Sequence, residues 1–483
     1  MKKMYCINTL IFLSLFAFCQ PITGNWEGKL TAQGTDIPLV FHISKDSTGK
    51  LSATFDSPDQ KAFNLPCSGI TIQNDSVFIM MKVLNGRYTG KLSEDKKQIT
   101  GTWFQGGGSA PLSMHKTYDE VKIKEVKRPQ TPRPPFPYKS EDVEYDNADK
   151  TVHFGGTFTV PLPDSGVDYF RAPIYPTVLL ITGSGKQDRD ETIFDHKSFA
   201  IIADYLTRNG IAVLRVDDRD MGKTTGNFNT STSADFANDV EAGIDYLKTR
   251  KDVDINFIGL LGHSEGGMIA PIVASRRADV KFIILLAGPG VKIIDLMAQQ
   301  SSDVSAYKLS KKELDAFGTL YRQVTTTIVD EPDTAKAYEK AVTVFKAWQN
   351  ANSKSVVRNT TGVTDEKSLS AYVRLFAKQL STPWFRYFMK FDPAEYLTKV
   401  KCPVLALNGE KDVQVASRPN LNAIESALKQ ANNPNFKTLE IPDLNHLFQH
   451  CKKCTVDEYG KLEESFATEV LIIIRDWIKG SVH

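Results

Sequence analysis

The sequence has almost no excess of either charge: 59 Lys and Arg against 57 Asp and Glu leave a net +2. Two of those cations, Lys2 and Lys3, sit in an N-terminal segment that reads as removable, so the rest of the chain is close to neutral. A nucleic-acid or anionic-membrane partner requires a basic face, and nothing in this balance implies one. Cysteine is scarce, 6 in 483 residues, and Cys6 and Cys19 fall in that same segment. Of the remaining four, Cys451 and Cys454 in "HCKKC" suit a short disulfide in an exported chain, and Cys67 and Cys402 read as small core residues. The N-terminal "MKKMYCINTLIFLSLFAFCQ" has two lysines and then an apolar run to Phe18, too short to stay as a bilayer span. It is the pattern of a secretory signal cut after Cys19, residues 1–19, which places the mature chain outside the cytoplasm. Lipid attachment at Cys19 is the alternative, and Phe16, Ala17 and Phe18 suit it poorly.

A phosphate-binding loop is missing as well. "LLITGSGKQDRDE", Leu179 to Glu191, contains a Gly-Lys pair, but the residue five before Gly185 is Leu180 and Lys186 is followed by Gln187. A Walker loop needs glycine at the first position and Ser or Thr at the last, so nucleotide binding is excluded on both counts. What stays is a strand that ends in a small-residue turn, with backbone N–H groups free to face a partner. The residues His446, His450, Cys451 and Cys454 are of zinc-ligating type, but a surface loop is the plainer reading. We expect no metal and no cofactor.

At 483 residues the chain exceeds one hydrophobic core. Residues 20–116 are dense in short alternating segments, among them "IPLVFHIS", "SVFIMMK", "GRYTGKL" and "QITGTWF", with turn clusters between them. That rhythm predicts an all-β antiparallel barrel or sandwich. His42 and His115 lie in it without triad-like company, so they face core or solvent. The proline-rich stretch "VKRPQTPRPPFPYKS" suits a linker over 117–138. From 139 to 483 the pattern becomes strand, helix, strand: "PTVLLIT", "SFAIIADYLTRNG", "IAVLRVD", "DFANDVEAGIDYLKTR", "NFIGLLG", "GGMIAPIVASRR", "KFIILLAG". Continuous apolar runs that alternate with amphipathic helices predict a mainly parallel sheet with helices on both faces. Functional groups on such a sheet gather at the carboxyl ends of the strands.

There "GHSEGG" fills G-x-S-x-G, with Ser264 between a buried strand and a helix. The glycines are needed because side chains two residues either side of so sharp a bend would collide with the neighbouring strand and helix. A serine hydroxyl needs a base, and only His446, His450 and His483 follow Ser264. His446 in "LEIPDLNHLF" follows an apolar strand and is preferred; His450 adjoins the "CKKC" loop and His483 ends the chain. The acid should leave the strand before, where "CPVLALNGEKDVQV" offers Asp412, with Glu410 and Asp443 as competitors. Charge developing on a substrate oxygen calls for two N–H donors. Glu265, after the nucleophile, supplies one, and "TGSGK" supplies the other, from Ser184 first and Gly185 next. Between about 291 and 397 charged amphipathic segments replace the strands and predict a helical lid. Its Trp384, Phe385, Tyr387 and Phe388 are candidates either to line an acyl pocket or to pack the lid onto the body.

Taken together, "LLITGSGKQDRDE", "LRVDDRDMGKTTG", "GHSEGG", "PWFRYFMKFDPAEYL", "CPVLALNGEKDVQV" and "LNHLFQ" resemble the secreted bacterial α/β-hydrolase esterases of the serine aminopeptidase-like group. The likeness runs from the linker to the C-terminus, and the first domain is similar to the β-domain that often precedes such hydrolases. It implies the α/β-hydrolase fold with a lid, Ser264 as nucleophile, Asp412 as acid and His446 as base. Two departures stand out: Asp220 occupies a usual glycine position, and "CKKC" sits in a loop that usually lacks paired cysteines. The expected activity is serine carboxylesterase on a small-molecule ester. Peptidase and acyltransferase chemistry share the same machinery, and a binding protein that kept the fold is the rival of another class.

Overall fold

The computed structural model describes residues 22–32, 35–58, 62–84, 86–105, 108–117, 126–163, 173–305 and 309–481. The expected signal segment lies outside them. The chain divides into two compact units, Met1–Lys124 and Glu125–His483.

Nine strands build the first unit: β1 (Gly24–Ala32), β2 (Thr35–Lys45), β3 (Leu51–Ser57), β4 (Ala62–Pro66), β5 (Gly69–Gln73), β6 (Ser76–Met81), β7 (Gly86–Leu92), β8 (Gln98–Gln105) and β9 (Gly108–Thr117). They form one antiparallel sheet in the order β4-β3-β2-β1-β9-β8-β7-β6-β5, with β4 and β5 as its two edge strands. It is thus a half-barrel. The period-two pattern explains which face is covered: Val77, Ile79 and Met81 are buried, whereas Phe78 and Met80 between them are exposed. The buried face closes over Trp26, Phe41, Phe55, Tyr88 and Trp103, and the Tyr88 hydroxyl donates to Leu112 O at 3.0 Å. His42 lies at the half-exposed margin between Asn25 and Asp56, and His115 is exposed.

The second unit begins with a hairpin that the sequence rhythm did not reveal, β10 (Tyr138–Asp146) and β11 (His153–Pro161). There follow β12 (Tyr175–Ile181), the short hairpin β13 (Thr192–Ile193) and β14 (His196–Lys197), α1 (Ser198–Arg208), β15 (Ala212–Val216), α2 (Ser233–Lys248), β16 (Val253–His263), α3 (Glu265–Ala274) and β17 (Val280–Leu286). After a helical insertion come β18 (Val404–Gly409), α11 (Ser417–Gln430), β19 (Phe436–Ile441), α12 (Val456–Tyr459) and α13 (Thr468–Ser481). The insertion comprises α4 (Ile293–Ser305), α5 (Lys311–Asp330), α6 (Thr334–Ala351), α7 (Lys354–Thr361), α8 (Glu366–Leu380), α9 (Pro383–Lys390) and α10 (Ala394–Leu397). It coincides with the lid expected over 291–397.

The sheet order is β10-β11-β15-β12-β16-β17-β18-β19, parallel from β15 onward and antiparallel in the added hairpin. Alternate residues of each strand serve opposite cores. Leu179, Ile181, Leu260, Ile283 and Leu285 pack with α2, α3, α11 and the insertion. Val178, Leu180, Leu261, Ile284 and Leu286 pack with α1 and α13. This is why the strands read as unbroken apolar runs. It is the α/β-hydrolase architecture that the sequence led us to expect.

The described part of the proline-rich stretch is fastened to the second unit. From residue 126 it belongs to the second unit, where Arg128 donates to Leu462 O at 2.7 Å, Gly460 O at 2.8 Å and Phe194 O at 2.9 Å. Gln130 adds bonds from Ser465 N at 2.6 Å and Phe466 N at 3.1 Å. Extended proline-rich backbone joins no ladder, so long side chains fasten it instead. Arg128→Ala should therefore lower the unfolding free energy by about 1–2 kcal/mol in a denaturant titration, the scale of a few part-exposed charged hydrogen bonds. A change within experimental error would show that this segment is not fastened in solution.

Candidate active site

Ser264 sits between β16 and α3 at φ 53° and ψ −115°, a left-handed conformation that costs a non-glycine residue about 1–3 kcal/mol. The surroundings leave no other path. A Cβ on Gly262 would lie 2.0 Å from Gly266 O, and one on Gly266 would lie 2.1 Å from Ile181 O. Both glycines are thus required by contact with backbone, which cannot yield. Ser264 N donates to Leu286 O at 2.8 Å, and Ser264 O accepts from Gly267 N at 2.9 Å. The bend is held from both sides while the half-buried side chain stands clear of the sheet.

His446 Nδ1 and Asp412 Oδ2 are 2.7 Å apart, and both residues are buried. The other oxygen of Asp412 accepts from Gln414 N at 2.7 Å and Val415 N at 2.9 Å, which fixes the carboxylate. An ionised carboxylate is an acceptor only, so Nδ1 carries the proton and Nε2 is left as the basic nitrogen. His446 lies beside the bend, its ring centroid 4.9 Å from that of His263, the residue before Ser264. Among the described residues the Ser264 hydroxyl makes no hydrogen bond. The competitors lie elsewhere. His450 is exposed and pairs with Glu464 and Glu469; Glu410 pairs with Lys411 and accepts from Asp443 N. Cys451 and Cys454 are joined in a disulfide just beyond, so the sulfur ligands of the discarded zinc reading are already bonded to each other. Cys67 and Cys402 are half-buried at the margins of their cores rather than inside them.

The "TGSGK" loop arrives next to Ser264: a Cβ on Gly183 would lie 3.2 Å from Ser264 Cβ. Gly183 N is engaged by Glu191 Oε1 at 2.9 Å, whereas the amides of Ser184 and Glu265 have no partner among the described residues. Gly185, at φ 95°, turns the exposed tip of the loop. Asp218 pins both shoulders, accepting from Thr182 Oγ1 and from Gln187 N, each at 2.7 Å. Burial, with Glu265 and Glu191 nearby, outweighs those bonds and raises its carboxyl to about 7. Arg189 braces the loop through Asp217 and Asp142. Asp220 has φ 60°, which explains why glycine is usual there, and its carboxylate pairs with Lys186 at 3.1 Å.

Three groups at the site escaped sequence reasoning. The Glu265 side chain is buried; its Oε1 accepts from Ser233 Oγ at 2.6 Å and from Trp384 Nε1 at 2.9 Å, and burial pushes its carboxyl upward. Glu191 and His263 form a buried pair at 2.9 Å. No motif flags them, although all three stand inside or beside stretches that the sequence singles out. In the insertion, Trp384 stacks on Phe388 at 4.7 Å and meets Phe385 edge-on at 4.6 Å. Phe388 is buried in the core, Tyr387 and Phe385 are half-buried against it, and Trp384 alone of the four is tied to the residue after Ser264.

The profile of the family described as "Serine aminopeptidase, S33" matches residues 195–449. Esterase EstD of Thermotoga maritima is 27% identical over 290 residues, 59% of this chain, and the chain spans 58% of the length of that relative. Among solved structures, an esterase of Pyrococcus furiosus aligns over 74% of this chain and 99% of its own, with 16% identity and a TM-score of 0.41. Est1E of Butyrivibrio proteoclasticus, with ferulic acid bound, aligns over 70% and 99%, with 15% identity and a TM-score of 0.38.

Asp218 gives the site a pH signature. Between the ordinary carboxyl value of 3.8 and about 7 the folded chain keeps a proton that the unfolded chain has lost. Unfolding then releases a proton, and this residue's contribution to stability falls as pH rises through that window. Asp218→Asn can keep both hydrogen bonds, with Oδ1 to Gln187 N and Nδ2 to Thr182 Oγ1. The melting temperature of the variant should gain on that of the unaltered protein from pH 5 to pH 8. A difference that does not move with pH would contradict the raised carboxyl.

Proposed function

The chain belongs to the serine aminopeptidase S33 family, and from that premise we propose that it is a serine hydrolase acting on carboxylic esters. The observation that carries the reading is the strained Ser264 bend with the buried Asp412–His446 pair beside it. In the proposed reaction Ser264 Oγ attacks the substrate carbonyl carbon as its proton passes to His446 Nε2. The oxyanion is met by the N–H groups of Glu265 and Ser184, with Gly185 the next donor in the loop. The unengaged amides of Glu265 and Ser184 support that choice, and the bond from Gly183 N to Glu191 removes the remaining nearby candidate. His446 then returns the proton to the departing alkoxide, which leaves an acyl-enzyme. Water, deprotonated by the same imidazole, releases the acid and restores Ser264.

Ester hydrolysis is favoured over peptide cleavage because three carboxylates of the site, Glu265, Asp218 and Glu191, are already engaged by protein donors. None is left to grip a substrate ammonium group. The N-terminal lysines and apolar run, with the Cys451–Cys454 bond, support export of the chain.

A fluorophosphonate probe should label Ser264, and Ser264→Ala should abolish both labelling and turnover with little change in the thermal melt. Aryl esters should be turned over well and aminoacyl anilides poorly. Labelling at another residue would sink the assignment, and preference for the anilides would make the protein a peptidase on the same machinery.

A further inference from the structure

The groups proposed to react come from three separate stretches of chain: the loop 182–187, the bend at Ser264, and the loop that carries His446. One buried chain of contacts ties the three together. Glu191 Oε1 accepts from Gly183 N at 2.9 Å and faces His263 Nδ1 at 2.9 Å; His263 Nε2 faces the backbone oxygen of His446 at 3.0 Å. Glu191 and His263 are 1% and 5% exposed, so solvent supplies no substitute for these bonds. Glu191 itself sits at φ 49°, its amide bonded to Asp188 O, and this strained turn aims the side chain back at the loop it follows.

We propose that Glu191 and His263 are positioning residues, a buried ion pair that sets the distance from the oxyanion loop and the Ser264 bend to His446. The inference rests on the function proposed above. The protonation state follows from the partners. A carboxylate and a carbonyl are both acceptors only, so both ring nitrogens of His263 must carry hydrogen, and the ring is an imidazolium. Burial works against that charge; Glu191, the carbonyl of His446 and the more distant Asp412 work for it and prevail, raising the imidazole above its ordinary value. The other titratable neighbours are the His446 ring at 4.9 Å and, next to Glu191, Asp218 with its raised carboxyl. A neutral His263 has one N–H, so it can hold Glu191 or His446 but not both.

Glu191→Gln separates this role from simple structural support. The amide oxygen can still accept from Gly183 N and His263 Nδ1, but the charge that keeps His263 doubly protonated is gone. The variant should show kcat on ester substrate lowered about 10- to 100-fold near pH 8, the scale of a small misplacement of reacting groups, with KM changed less than about threefold. The ratio of variant to unaltered kcat, measured with Asp218→Asn in both proteins so that this carboxyl does not titrate, should climb as pH falls and His263 regains its proton. A ratio that stays near one, or that is lowered equally at every pH, would overturn the proposal. A second measurement needs no turnover: nitrogen-15 spectra of the histidine rings in the unaltered protein at pH 8. One ring beyond those exposed to solvent should show both nitrogens protonated, assigned to His263 by its loss in His263→Gln. A neutral His263 ring at that pH would overturn the pair. Should the unaltered protein fail to turn over esters or to label at Ser264, the functional reading falls instead, and the ring spectra still report on the pair.

Discussion

The site depends on a lack of space at one bend. Gly262, Gly266 and the carbonyl of Ile181 are packed so closely that a single added carbon at either glycine would lie about 2 Å from backbone oxygen. With no slack in the backbone, Ser264 has no relaxed conformation to fall into, and its left-handed φ is imposed by the sheet and by α3. The amide of Ser264 is anchored to Leu286 on the neighbouring strand, so the strain is carried by the whole parallel sheet. That rigidity fixes the hydroxyl relative to strands that deliver the other groups: β12 leads into the small-residue loop, and the turns after β18 and β19 deliver Asp412 and His446. One sheet thereby sets three loops.

Around this bend the chain buries far more charge than its near-neutral total suggests. Asp217 is matched by Arg189 and Asp239 by Arg219 in close pairs. Asp218 and Glu265 pair with no cation among the described residues and are instead satisfied by hydroxyl, amide and indole donors, and burial raises both. A buried carboxyl without a counter-charge moves towards its neutral form, which is the less costly state there.

The legible parts of this molecule were those in which a local rule acts alone. Period-two alternation marked five of the nine strands of the half-barrel, and continuous apolar runs marked the parallel strands, because each pattern reports which faces are covered. The spacing of "GHSEGG" revealed the bend because only glycine fits on either side of it. The hairpin β10–β11 was missed because it precedes the strand-helix alternation and its second strand, "HFGGTFTVP", is buried nearly throughout without the aliphatic runs of its neighbours. Glu191, His263 and the Glu265 side chain were missed for a different reason. Their partners are 72, 183 and 119 residues away, and no local pattern encodes a contact at that range. Arg128 is the same case at 334 residues, which is why a proline-rich stretch read as free linker is fastened.

Glu265 shows how one residue serves two surfaces. Its amide lies at the start of α3, aimed at the space above Ser264, where a helix N-terminus favours negative charge. Its side chain reaches Ser233 at the start of α2, Trp384 on the insertion and the Ser184 side chain. Movement of α9 therefore acts on the residue proposed to face the oxyanion. Because Trp384 stacks on the buried Phe388, the indole is not free to swing alone, and α9 has to move as a unit. Helix placement and amide placement at the site are thus linked through a single side chain.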